Sequence, residues 1–242
     1  MVILSKNNPT VKELAALKEK KGRRESGTFL VEGFKMVAEC IRSGMEIVRI
    51  AVREGVDAPD CAAPIFTLGE DAFRAVCDEK TPQGILAQVR IPKREAVAPQ
   101  GNCLFLDGVA DPANVGAIIR TAVAAGYEEL YLAECADPYA PKCVRSSMSG
   151  IFFAKIMQGT RDKLLSLIDI PLIAADMDGE NVFDFTPPNQ FCIAIGNEGK
   201  GLTGEVRNRA EYIISIPMGE HTESLNAAVS AGILMYALRQ DK

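Results

Sequence analysis

Between residues 103 and 216 the sequence carries short, unbroken apolar runs separated by helical stretches, and this rhythm constrains the fold more than any other feature. Cys103-Leu104-Phe105-Leu106, Leu130-Tyr131-Leu132, Phe152 to Ile156, Pro171 to Ala175, Phe191 to Ile195 and Tyr212 to Ile216 each read as a strand without polar alternation. A strand that is apolar on both sides has to be covered on both faces. This half is therefore expected to be a mostly parallel sheet flanked by helices. Asn114 to Ala125, stopped by Gly126, reads as one of those helices, and Ser224 to Leu238 as the last. Ligands in such sheets bind beyond the carboxyl ends of the strands, which directs attention to the loops that follow them.

A smaller α/β unit precedes. Val11 to Lys21 reads as an amphipathic helix, Thr28 to Val31 as a strand, Phe34 to Arg42 as a helix and Ile47 to Val52 as a strand. Ile65 to Thr67 and Ile85 to Val89 are further strands around a helix from Glu70 to Cys77. Ile91 to Gly101 holds two prolines, a glycine and charges without apolar period, which marks a linker. The expected division is 1–92, a linker at 93–101, and 102–242.

Charge adds a constraint that the total conceals. A net charge of −5 argues against a simple basic nucleic-acid binder. Residues 1–97, however, hold 16 basic and 14 acidic side chains, whereas 98–242 hold 11 and 18. An anionic partner should meet the N-terminal unit first, where Lys18, Lys20, Lys21, Arg23 and Arg24 crowd around Gly22. The alternative for that run is a solvated helix end.

Several classes drop out. No apolar run reaches the roughly 20 residues of a membrane span, and Lys6, Asn7 and Pro9 leave no apolar signal-peptide core, so a cytoplasmic protein is expected. Seven dispersed cysteines with no Cys-x-x-Cys suggest small buried hydrophobes rather than a disulfide framework or a zinc site. The single histidine, His221, cannot build a histidine-rich metal centre, and no metal is expected.

Three loops carry candidate chemistry. In the first, Asp107 to Ala122, a strand runs through a proline turn into a helix, with Asn114 at or near the N-cap and Arg120 six residues later among Ala, Ile, Val and Gly. An arginine there either extends to solvent or reaches a carboxylate or phosphate. In the second, Ile195-Gly196-Asn197-Glu198-Gly199-Lys200-Gly201-Leu202 follows an apolar strand, and its glycines permit close backbone approach to a ligand. It is neither a Walker loop nor a dinucleotide fingerprint. In the third, Ile216-Pro217-Met218 ends a strand and Glu223-Ser224-Leu225-Asn226 opens the last helix, where Ser224 could simply be an N-cap.

In order and content the three loops resemble the SpoU/TrmH family of S-adenosylmethionine-dependent RNA ribose 2′-O-methyltransferases. The matching residues are Asn114, Gly116 and Arg120, then Gly196-Asn197-Glu198-Gly199 with Gly201-Leu202, then Glu223 to Asn226. Thr28 to Gly33 and Thr81 to Ala87 resemble the family's accessory RNA-binding domain, and Pro141 to Met148 resembles a segment the family places beside its active site. The resemblance implies a C-terminal α/β-knot (SPOUT) domain, a parallel sheet with a deep trefoil knot, and an N-terminal L30e-like α/β substrate-binding domain. It implies S-adenosylmethionine held by Ile195, Gly196, Asn197, Gly201, Ile216, Met218 and Leu225. It places Asn114, Arg120, Glu198, Ser224 and Asn226 at the reaction, with Arg120 either a base or a charged group that positions the ribose. RNA would be met by Lys20, Lys21, Arg23, Arg24 and Arg145, ribosomal RNA before transfer RNA, by a homodimer built through the knot domain.

Overall fold

The computed structural model describes residues 2–222 and 224–239. The chain divides into two compact units, Met1–Lys93 together with Asp137–Phe152, and Arg94–Ala136 together with Phe153–Lys242.

The first unit is built on five strands: β1 (Val2–Ile3), β2 (Thr28–Glu32), β3 (Ile47–Arg53), β4 (Ile65–Leu68) and β5 (Ile85–Arg90). They lie in the order β1-β4-β3-β5-β2, with β4 parallel to both β1 and β3, and β5 antiparallel to both β3 and β2. Val11 and Leu14 from one helix, Leu17 just past its end, and Phe73 and Val76 from another helix pack with Leu30, Leu68 and Leu86 of the sheet. Burying each such side chain stabilises the fold by about 1.5–3 kcal/mol.

The helix expected over Val11 to Lys21 is two helices, Pro9–Ala16 and Lys20–Ser26. Asn8 caps the first by accepting the Thr10 N–H at 2.9 Å. Its end is made by Arg23, whose Nη1 donates to the carbonyls of Leu17 and Lys18, both at 2.8 Å. These carbonyls have no helical partner once the chain turns, and the guanidinium supplies the missing donors. The same Arg23 binds Asp137 through Nε and Nη2 at 3.0 and 2.6 Å. Phe29 packs on Tyr139 with ring centroids 5.0 Å apart. These contacts seat Asp137–Phe152 in the first unit, so that segment clusters apart from the rest of 102–242, with which the linker reading grouped it.

The second unit is a six-stranded, wholly parallel sheet: β6 (Cys103–Asp107), β7 (Glu129–Ala133), β8 (Lys155–Gly159), β9 (Leu172–Asn181), β10 (Cys192–Ile195) and β11 (Tyr212–Ser215), in the order β11-β9-β10-β6-β7-β8. All residues of β6, β7 and β10 are buried, as unbroken apolar runs in a doubly covered sheet require. The strand expected from Phe152 begins instead at Lys155, because Gly150–Phe153 forms a helical turn.

One irregularity shapes the site. β11 pairs with β9 at Ile173 and Ala174, then skips to Glu180 and Asn181, with the shift between Ile213 and Ile214. Residues 175–179 bulge out of register. Gly179 makes the bulge possible, since a Cβ there would lie 2.4 Å from the carbonyl carbon of Ile214. Among the described residues no helix is long and apolar enough to cross a membrane.

Candidate functional site

Beyond the carboxyl ends of β9, β10 and β11 lies a cavity of about 620 Å³, within the range of small-molecule sites. Ile195, Gly196, Asn197, Gly201, Ile216, Met218 and Leu225 all line it, and so do Glu198 and Ser224. Its lining includes four glycines, Gly196, Gly199, Gly201 and Gly204. At Gly196 an added Cβ would lie 2.3 Å from the Gly201 carbonyl carbon and 2.4 Å from the Leu202 nitrogen, so only glycine lets the loop fold back on itself. Asn197 and Gly201 exchange backbone hydrogen bonds at 3.0 and 2.9 Å. The Asn197 side chain is consumed in shaping the loop: its Nδ2 donates to the Gly108 carbonyl, and its Oδ1 accepts from Gly199 and Lys200. Apolar Ile195, Leu202, Ile214, Ile216, Leu225 and Leu234 complete a wall able to cover a flat heterocycle. Glycine cradle, apolar cover and size together fit an adenosyl group.

Beside the cavity a polar chain joins the first and third loops to the second. Asn226 Nδ2 donates to Asn114 Oδ1 at 2.9 Å, and Asn114 Nδ2 donates to Glu198 Oε1 at 2.8 Å. Glu198 also accepts the N–H groups of Ala110 and Asp111, both at 3.2 Å. Burial pushes the Glu198 carboxyl up, but the Asn114 amide and the backbone donors outweigh it and hold the group below the usual carboxylate range. Glu198 thus fixes the turn that starts the helix Pro112–Ala125.

Asn114 lies in the first turn, near the N-cap as expected, while Asp111 is the cap itself, accepting the Ala113 N–H at 2.9 Å; this leaves the buried Asn114 free to bridge. Asn226, not Ser224, caps Ala227–Ala237 by accepting from Ala228 and Val229, and Ser224 is an exposed residue of the preceding loop. Glu223 lies outside the described residues.

Arg120 does not line the cavity. It is exposed on the helix Pro112–Ala125 and has no hydrogen-bond or ion-pair partner among the described residues. The basic run also splits. Lys20, Lys21 and Arg24 surround a shallow exposed depression with Glu25. Arg23 is 4% exposed and bound to Asp137, so it braces the fold instead of offering a free charge. Arg145 is paired with Asp78.

Two features escape sequence reasoning. Asp176 and Arg207 line the cavity as an ion pair, Nε to Oδ2 at 3.2 Å, and nothing in their spacing announces it. Asp107, buried at the end of β6, accepts Arg161 Nε at 2.6 Å and both the N–H and hydroxyl of Thr203 at 2.8 Å. A carboxylate ending an apolar strand was the one available signal.

The family model described as the SpoU rRNA Methylase family matches residues 101–236, and that of the MRM3-like substrate binding domain matches residues 8–87. The chain belongs to the SpoU rRNA methylase family. It is 32% identical to the 23S rRNA (guanosine(2553)-2'-O)-methyltransferase RlmP of Bacillus subtilis, over 98% of each chain. Among solved structures it resembles a TrmH-family protein from Porphyromonas gingivalis, with a TM-score of 0.86 and 30% identity over 96% of this chain and 98% of the other. The AdoMet-bound rRNA methyltransferase from Sinorhizobium meliloti aligns with a TM-score of 0.88 and 25% identity, over 98% and 96%. The three loops that join at Asn114, Glu198 and Asn226 fall within the SpoU-matched segment.

Proposed function

We propose that this SpoU-family chain transfers a methyl group from S-adenosylmethionine to a ribose 2′-hydroxyl of ribosomal RNA. The observation that carries the reading is the glycine-lined cavity after β10 and β11, set beside the Asn226–Asn114–Glu198 chain. Ile195, Gly196, Asn197, Gly201, Ile216, Met218 and Leu225 would hold the cofactor, which when bound supplies an electrophilic methyl group on a cationic sulfur. The ribose oxygen has to be brought into line with that methyl group and give up its proton.

Asn114, Glu198 and Asn226 keep the first loop at a fixed position against the cavity, and Ser224 presents a hydroxyl at its wall. Arg120 is the group we assign to the RNA. Exposed on its helix and without a hydrogen-bond or ion-pair partner among the described residues, its planar fork of donors is placed to hold the target phosphate and ribose. Lys20, Lys21 and Arg24 recruit RNA through phosphate contacts, with no sequence information of their own.

The same reading includes the finer architecture. The loops after β10 and β11 form the family's trefoil knot, a reading that the close backbone pass at Gly196 supports. The five-stranded N-terminal unit is the L30e-like RNA-binding domain. The protein acts in the cytoplasm as a homodimer through the knot domain. Exposed Val229 and Tyr236 on the helix Ala227–Ala237 support that assembly.

Calorimetric titration of the chain with S-adenosylmethionine tests the reading. One saturable site per chain is expected, and absence of binding overturns the assignment.

A further inference from the structure

The cofactor cavity carries one opposed pair of charges that no part of the mechanism uses. Asp176 sits on the 175–179 bulge of β9, and Arg207 on the helix Gly204–Arg209, and both line the cavity. Arg207 Nε meets Asp176 Oδ2 at 3.2 Å, and Nη2 reaches Asp178 Oδ2 at 3.4 Å. Each partner is only partly exposed, 39% for Arg207 and 24% for Asp176, so the pair stands at the wall instead of in open solvent. The other carboxylate on the wall, Glu198, is already engaged by Asn114 and two backbone donors.

Arg207 is also held in place from behind. Its helix starts after Thr203, whose N–H and hydroxyl are both bound by the buried carboxylate of Asp107. Asp107 is itself fixed by Arg161. A charged side chain carried on an anchored helix turn is preorganised for a ligand, because little of its freedom remains to be lost on binding.

The geometry points to Asp176 and Arg207 as the subsite for the amino-acid end of the cofactor: the guanidinium takes the α-carboxylate and the Asp176 carboxylate takes the α-ammonium. The chemistry matches on both counts. A free α-amino acid end is a zwitterion with adjacent opposite charges, and the wall presents adjacent charges of reversed sign. Guanidinium and carboxylate meet through paired, charge-assisted hydrogen bonds. Exchanging the internal ion pair for two ligand pairs leaves no charge uncompensated, and Arg207 keeps Asp178 throughout. The apolar remainder of the cavity is left for the adenosine. This assignment rests on the methyl-transfer reading above.

The test compares two ligands by calorimetry on the full-length chain. S-adenosylhomocysteine has the amino-acid end, whereas 5′-methylthioadenosine has the same adenosine and sulfur without it. Arg207→Met should weaken S-adenosylhomocysteine about tenfold or more, as loss of a charge-assisted pair implies, and leave 5′-methylthioadenosine within about twofold. Asp176→Asn should act in the same direction, and Asp178→Asn should change neither ligand. Retained 5′-methylthioadenosine binding also shows that the variant site is folded. Arg207→Met weakening both ligands alike, or neither, overturns the inference. A wild-type chain that binds neither ligand overturns the methyl-transfer reading instead.

Discussion

Asn226 Nδ2 lies 2.9 Å from Asn114 Oδ1, so the start of the last helix is tied to the first turn of the helix Pro112–Ala125. Because Asn114 passes its other amide end to Glu198, one buried side chain holds all three functional loops. Asn114→Ala strips both bonds at once and leaves Glu198 and Asn226 each short of a partner. The expected cost is about 1–3 kcal/mol in urea unfolding, with a larger proportional loss of methyl transfer than of cofactor affinity. A variant as stable and active as the wild type would contradict this role.

Glu198 gives the site a pH signature. Its carboxyl is held below the usual range in the fold, so its stabilising contribution is full above the ordinary carboxylate pKa and fades as pH falls through the lowered value. Thermal unfolding of Glu198→Gln should therefore fall below the wild type near neutrality, and the gap should close toward acid pH. A gap that widens on acidification would show the opposite shift.

Within the basic cluster Arg23 is structural, whereas Lys20, Lys21 and Arg24 are surface charges. Arg23→Met removes the guanidinium from Asp137, leaves two carbonyls without their donor and should cost about 3–5 kcal/mol of stability. Changing Lys20, Lys21 and Arg24 together to alanine should leave the unfolding midpoint unchanged. It should weaken RNA binding and flatten its salt dependence by about two units of slope or slightly more. Filter binding from low to moderate salt distinguishes the two behaviours.

Gly196→Ala tests the close backbone pass at the cavity. The added methyl meets backbone atoms, which cannot swing aside as a side chain could. A loss of about 1–3 kcal/mol is expected, accompanied by loss of cofactor affinity. Normal affinity in this variant would mean that the loop is not the cofactor's wall.

The parallel sheet was legible because β6, β7 and β10 are apolar on both faces, a pattern that only a doubly covered strand tolerates. The expected cavity-wall residues were legible for a related reason: they fall in the loops that directly follow β10 and β11. The caps were less so. Asp111, Asn114, Ser224 and Asn226 are all competent acceptors, and propensity does not choose among neighbours within a turn. Asp176 and Arg207 were invisible because one sits on the β9 bulge and the other on a separate helix, and a contact between distant elements leaves no local pattern. Arg23 misled for the same reason, since its burial depends on the helix break at Leu17 and on Asp137.

The central claim is that this protein methylates a ribose 2′-hydroxyl in ribosomal RNA. Its most direct test is a map of ribose methylation across ribosomal and transfer RNA in cells with and without the gene, complemented by wild-type or Arg120→Ala copies. The account predicts one ribosomal position that loses its methyl group in the deletion and regains it only with the wild-type copy. A map unchanged by the deletion, or a change confined to transfer RNA, would contradict it.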